Sequence, residues 1–263
     1  ILADPYDTIV FDDALDRIVD QRVQAMGADG RLILDGNNAV YQVNLTEKLL
    51  VTLLTKVSNF IPDAGVWMNT QRPEWNDANN ALVGNGVSVV TLCYLHRFLK
   101  RAIALLATIE SDQVMLSCSV AQLLKNLHQV LLQHKAAITS GPVSPRVREA
   151  VMAGLGNAAE LYREELYESG FSGEKQSVSL STISNFLELS LESSAVSIAS
   201  NRREDGLFHA YNRISWTDSG VEIRYLYEML EGQVAVLSAE VLSAEEALHV
   251  LQTLRKSPLY TAR

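Results

Sequence analysis

The sequence is poor in cysteine, in proline and in positive charge, and it has no long uninterrupted apolar run. The two cysteines, Cys93 and Cys118, are too few for a disulfide framework. Both fall inside apolar helical patterns, so they read as buried free thiols. Lys and Arg number 22 against 31 Asp and Glu, a net charge of −9. That balance argues against a nucleic-acid binder, because affinity for phosphate backbones comes mainly from Lys and Arg. No apolar stretch reaches the roughly 18 residues of a membrane span. The five histidines show no HxxxH or HxH spacing, and there is no phosphate-binding glycine loop and no GxSxG elbow. Neither metal nor cofactor is therefore expected. The opening ILADPYDTIV lacks the basic and apolar regions of a signal peptide. The expectation is a soluble protein, cytoplasmic in preference to secreted. Ile1 and Arg263 read as cut points within something longer, so the remainder of a longer chain counts among the expected partners.

What is present is apolar content and helical periodicity. Hydrophobic residues make up 48 % of the chain, enough for a sizeable core. Leu15, Ile18, Val19, Val23 and Met26 recur at helical spacing behind a possible Asp12 cap, predicting a helix over Phe11–Met26. Asn44-Leu45-Thr46-Glu47 fits a capping box for a helix running to Phe60, with Pro62 as its stop. Further helices are expected over Gly86–Ile109, over Asp112–His134, from Ser144-Pro145 to Glu168 and, in a serine-rich stretch, over Ser179–Ser200. Val221–Tyr227 reads as a strand or a helix start. Met229–Leu242 reads as a helix, and Ser243-Ala244-Glu245-Glu246 caps the last one. Seven or eight helices with little strand predict a mainly α fold: one domain over 1–263, of paired helices stacked in a toroid, (α/α)6-like or part of one.

The chain is organised around Asp63–Gly84, DAGVWMNTQRPEWNDANNALVG. Helix connections usually take about 2–8 residues, and longer ones dense in functional groups are more often functional. Sugars present hydroxyls and apolar C–H faces, so a site for them needs flat aromatic platforms and bidentate polar groups. Trp67, Arg72, Trp75, Asn76, Asn79 and Asn80 supply that mixture. Glycosidic cleavage adds a carboxylic acid for the leaving oxygen, and an inverting enzyme a second carboxylate as base. Asp77 and Glu74 are the acid candidates. If they share a helical turn, one transfers the proton while the other orients a hydroxyl. The partner carboxylate is sought among Glu204, Asp205 and Asp218 in the second polar-aromatic connection, Asn201–Gly220, and among Asp35 and Glu231. Glu231 has apolar sequence neighbours whose burial would raise its pKa.

Plainer readings compete with each of these. Trp67 and Trp75 can close a core. Asp77, Asn79 and Asn80 can cap the following helix. Glu74 and Glu231 can be solvated, Arg72 can form a structural ion pair, and Asp205-Gly206 can be a turn.

The segment RPEWNDANNALVGNGVSVVTLCYLHRFLK resembles the catalytic-domain segment of bacterial glycosidase-like proteins with an (α/α)6 toroid. That group includes glucoamylase-like, debranching-type and phosphorylase-type enzymes. The tail YEMLEGQVAVLSAEVLSAEEALHVLQTLRKSPLY resembles the C-terminal part of such domains. The resemblance implies an oligosaccharide or polysaccharide bound at one rim of a toroid and cleaved by inverting acid/base chemistry. It carries over only the WND stretch, with Asp77 as the favoured acid and Trp75 as a sugar platform. The expectation is a glycoside hydrolase or part of one. The alternatives are a noncatalytic helical carbohydrate-binding or assembly domain, and a purely structural helical scaffold.

Overall fold

The computed structural model describes residues 11–68, 82, 84–169 and 172–261. It corrects the expected fold. The described residues form a mixed α/β structure, with nine α-helices, a five-stranded antiparallel sheet and a separate two-stranded sheet, instead of a mainly α toroid. The helices are α1 Asp13–Met26, α2 Leu45–Val57, α3 Val89–Leu106, α4 Cys118–Gln133, the short α5 Lys135–Ile138, α6 Pro145–Glu164, α7 Leu180–Ala199, α8 Leu230–Ser238 and α9 Ala244–Lys256. The strands are β1 Phe60–Ile61, β2 Gly65–Trp67, β3 Gly86–Ser88, β4 Gln113–Ser117, β5 Lys175–Ser179, β6 Tyr211–Thr217 and β7 Gly220–Tyr225.

Strands form where helix was expected because short β-patterned pieces stand directly in front of helical runs. Gly86–Ser88 pairs on both edges before Ser88 turns the chain into α3, its hydroxyl accepting from Thr91 N at 2.9 Å. Gln113–Ser117 likewise pairs with Lys175–Ser179, and the chain then enters α4. Helix periodicity begins only after each pairing segment.

The larger apolar cluster joins the helices to the sheet through Phe60, Val66 and Tyr211, and a second gathers Ile61, Trp67, Val87, Ile214 and Val221 with Met152 of α6. α3 buries Val89, Leu92, Cys93, Leu95, Leu99, Ala102 and Leu106, the i, i+3, i+4, i+7 stripe of a core helix. Each fully buried leucine there contributes roughly 1.5–3 kcal/mol of transfer free energy. α3 packs most extensively on α7, whose facing residues include the buried Ser190, Ser193, Ser194 and Ser197. Small side chains let two helix backbones approach closely. Three hydroxyls donate within the helix, Ser190 to Phe186 O and Ser193 to Leu189 O, each at 2.8 Å, and Ser194 to Leu191 O at 2.7 Å, while Ser197 accepts from Asp63 N at 3.0 Å. α1, by contrast, has no buried residue and packs chiefly on the 3-10 turn Gly27–Arg31.

The larger sheet runs in the order β1-β2-β3-β6-β7. β1 and β2 form a hairpin and β6 and β7 another, joined through the β3–β6 ladder with Gly86 opposite Arg213 and Ser88 opposite Tyr211. Two segments far apart in sequence thus become neighbours.

Candidate functional site at one end of the larger sheet

The β2–β3 and β3–β6 ladders bring Trp67 and the return through Gly84 and Asn85 to the Trp216 end of β6. Beyond Trp67 the chain leaves β2, and it returns through Gly84 and Asn85 into β3. The neck of this connection is clamped by Met68 N donating to Gly86 O at 2.9 Å and Gly84 N donating to Met68 O at 2.8 Å. Trp67 is 7 % exposed, and its indole N–H donates to Gly84 O at 2.9 Å. Its ring meets Trp216 of β6 edge to face, with centroids 6.2 Å apart and planes at 60°. Trp216 remains 43 % exposed. A buried tryptophan thus holds a partly open one in a fixed orientation, in a geometry that aromatic pairs favour. On the same part of the sheet a recess of about 310 Å³ is lined by Asn85, Arg213, Ile214, Ser215, Trp216 and Arg224.

The sheet is fixed to the helices by a buried polar knot centred on Asp63, in the β1–β2 turn. Asp63 has φ +61°, a left-handed conformation that Asp tolerates better than most residues. Its carboxylate accepts from Arg148 Nη2 at 3.1 Å, Val143 N at 2.6 Å and the Ser200 hydroxyl at 3.0 Å. Arg148, from α6, also donates to Pro62 O at 2.9 Å, Val143 O at 2.8 Å and Val221 O at 2.8 Å. Asn201 donates to Asp63 O at 2.8 Å, and Asn212 of β6 donates to Asn201 Oδ1 at 2.7 Å and to Ala64 O at 2.9 Å. Such a knot cross-ties the β1–β2 turn, α6, the end of α7 and the β6–β7 pair. Apart from Asn212 Oδ1, which is buried without a partner among the described residues, its polar groups bond one another, so its work is positioning.

Of the residues singled out from sequence, Arg72, Glu74, Trp75, Asn76, Asp77, Asn79 and Asn80 lie outside the described residues. Trp67 stands at the site described above. Glu231 is half-buried in the first turn of α8, where Gly232 abuts Ala210 just before β6. That places it roughly 20 Å along β6 from Trp216 at the usual strand rise. Asp205 accepts from Leu207 N at 3.0 Å and pairs with Arg203 at 3.1 Å, a turn former on the Glu231 side of β6. Burial works to raise the Asp205 pKa, but the Arg203 guanidinium and the Leu207 N–H outweigh it and hold the carboxyl below its usual range. Glu204, beside it, is exposed. Asp35 accepts from Asn37 N and Ala39 N in its own turn. Asp218 alone of the carboxylate candidates among the described residues stands at the Trp216 end, in the β6–β7 turn, where its carbonyl accepts from Arg146 at 2.7 Å.

Trp216, Arg213 and Arg224 join the site although no motif in the sequence singles them out. Their signal was alternation: YNRISWT and GVEIRY, joined by Asp-Ser, are two period-2 runs around a short turn. Among the described residues no three His, Cys, Asp or Glu side chains are grouped to hold a metal ion. No described helix is long and apolar enough to cross a membrane.

No protein-family model matches the chain, and no curated protein matches it. Together with the antiparallel sheet, this overturns the resemblance to (α/α)6 toroid glycosidases. What fold and site define is a mixed α/β protein with an aromatic, cationic recess at one end of its larger sheet.

Proposed function

We propose that the protein is a carbohydrate-active domain that engages an oligosaccharide or polysaccharide at the Trp216 end of the larger sheet. The observation that carries this reading is the Trp67–Trp216 pair, in which a buried indole braces an indole left 43 % exposed. A fixed, partly open indole is a platform for the C–H face of a sugar ring, and little side-chain freedom is lost when a ligand stacks on it. The connection that springs from the same end carries Arg72, Trp75, Asn76, Asn79 and Asn80 in its sequence, groups suited to pairs of sugar hydroxyls.

Cleavage of a glycosidic bond is the proposed activity. In it Asp77 protonates the leaving oxygen and Glu74 orients a sugar hydroxyl. Of the candidate bases among the described residues, Asp218 has the better position and Glu231 the poorer one. The test is sugar binding and sugar release on a panel of α- and β-linked oligosaccharides, with Trp216→Ala and Asp77→Asn as variants. Release abolished by Asp77→Asn in a folded protein supports cleavage. Binding lost in Trp216→Ala, with no release by any form, supports the noncatalytic binding reading. Neither binding nor release by the unaltered protein sinks both.

A further inference from the structure

We propose that the solvent-facing side of the β6–β7 hairpin holds an oxyanion site built on Arg213 and Arg224, which takes a phosphate or sulfate group. The two arginines are direct cross-strand partners. Directly opposed residues of an antiparallel pair point to the same face, with Cβ atoms about 4.5–5.5 Å apart. Both residues are exposed. Among the described residues neither forms an ion pair or a side-chain hydrogen bond. Like charges placed directly opposite destabilise a hairpin. The chain carries 31 carboxylates against 22 basic residues, so the pairing does not reflect a shortage of acid.

A second observation points to the same place. The Ser215 hydroxyl oxygen is buried and has no hydrogen-bond partner among the described residues. Ser215 lies two residues along β6 from Arg213 and so on the same face. Both arginines and Ser215 line the recess of about 310 Å³. Among the described residues of β6 and β7, the carboxylate on that face belongs to Glu222, cross-strand from Ser215. It already accepts from the hydroxyls of Thr217 at 3.3 Å and Ser219 at 3.0 Å, toward the turn.

Two permanently charged guanidinium forks and one idle hydroxyl match a multi-oxygen anion, because arginine bonds phosphate and related oxyanions through paired N–H donors. A bound anion would remove the repulsion and give the serine a partner. The anion has two possible sources, a free inorganic ion or an acidic substituent on a saccharide. The site itself does not depend on the carbohydrate reading.

The test is thermal unfolding and calorimetric titration of the whole chain with millimolar inorganic phosphate and inorganic sulfate. Sodium chloride of matched ionic strength is the control, and Arg213→Gln and Arg224→Gln are the variants. Phosphate or sulfate should raise Tm beyond chloride, and each substitution should abolish that excess while leaving the unliganded Tm equal or higher. Equal shifts with chloride, or an excess that survives both substitutions, overturn the site. A sulfated oligosaccharide compared with its neutral counterpart separates the sources. Binding at least tenfold tighter than the inorganic ion identifies a saccharide substituent, and binding of the inorganic ion alone identifies a free ion.

Discussion

Asp63 and Arg148 form an ion pair at 3.1 Å whose side chains are only 5 % and 7 % exposed. Breaking a buried pair from one side leaves the other charge without compensation, at a cost of about 3–5 kcal/mol. Asp63→Ala should therefore destabilise the fold by about that amount. Asp63→Asn, which keeps one acceptor oxygen for either Val143 N or Ser200 and still tolerates the left-handed backbone, should cost less. Urea unfolding of the two variants checks the order; equal midpoints for both and for the unaltered protein would remove the pair from its positioning role.

His96 gives the fold a pH dependence. Its ring is buried on α3, with Nδ1 2.9 Å from the Ser194 hydroxyl oxygen. That hydroxyl donates to Leu191 O at 2.7 Å, so its oxygen accepts from the ring N–H. Burial, aided by the Lys100 ammonium, pushes the His96 pKa from 6.5 down to about 4. The unfolded chain therefore binds a proton that the folded chain refuses. Stability is full above about pH 6.5 and is lost as pH falls toward 4, at up to about 1.4 kcal/mol per pH unit. In His96→Asn this part of the slope should vanish. Denaturation midpoints measured from pH 7 to pH 4 would show it, and identical slopes for both proteins would refute the assignment.

The two tryptophans should separate stability from binding. Trp67→Ala removes a buried indole and should destabilise by about 3–5 kcal/mol. Trp216→Ala removes a half-open ring and one edge contact, worth about 0.5–1.5 kcal/mol. If Trp216 is the saccharide platform, its loss should weaken sugar binding while Tm changes little. Unchanged sugar affinity in Trp216→Ala would count against the platform.

Gly220 closes the β6–β7 turn at φ +115°, and a Cβ there would lie 2.5 Å from both C and O of Pro145. Backbone strain alone costs about 1–3 kcal/mol, and the contact with the first turn of α6 adds to it. Gly220→Ala should therefore lower the unfolding midpoint, and a Tm equal to that of the unaltered protein would show that the turn and α6 can separate freely.

The helices were largely legible in the sequence and the sheet was not. Asp12 caps α1 through Ala14 N and Leu15 N, Ser144-Pro145 opens α6, and Ser243 with Glu246 completes a capping box, each from local signals that local backbone geometry satisfies. At Asn44 the signal misled by half. Asn44 does cap α2 at Glu47 N, but the Glu47 carboxylate turns away to Ser117, accepting from its N–H at 3.0 Å and from its hydroxyl. No local pattern encodes a partner so distant in sequence. The strands failed for the same reason. A three-residue strand such as Gly86–Ser88 has almost no period of its own, and Asn201–Gly220 reads as a loop until its partners are known. Of the candidate site, the sequence singled out Trp67 and gave no account of Trp216, because their contact exists only through the β3–β6 ladder.

That ladder also sets an order of assembly. β3 and β6 come from opposite halves of the chain, and α3 through α7 intervene. Non-local pairings carry a large loop-closure entropy and form slowly, while helices and the β6–β7 hairpin need only near neighbours. During refolding, and during synthesis from the N-terminus, β3 must therefore wait with one edge unpaired. An unpaired edge is a template for another chain. The joint that gathers the site is thus also the stage at which concentrated, half-folded chains are most exposed to wrong partners.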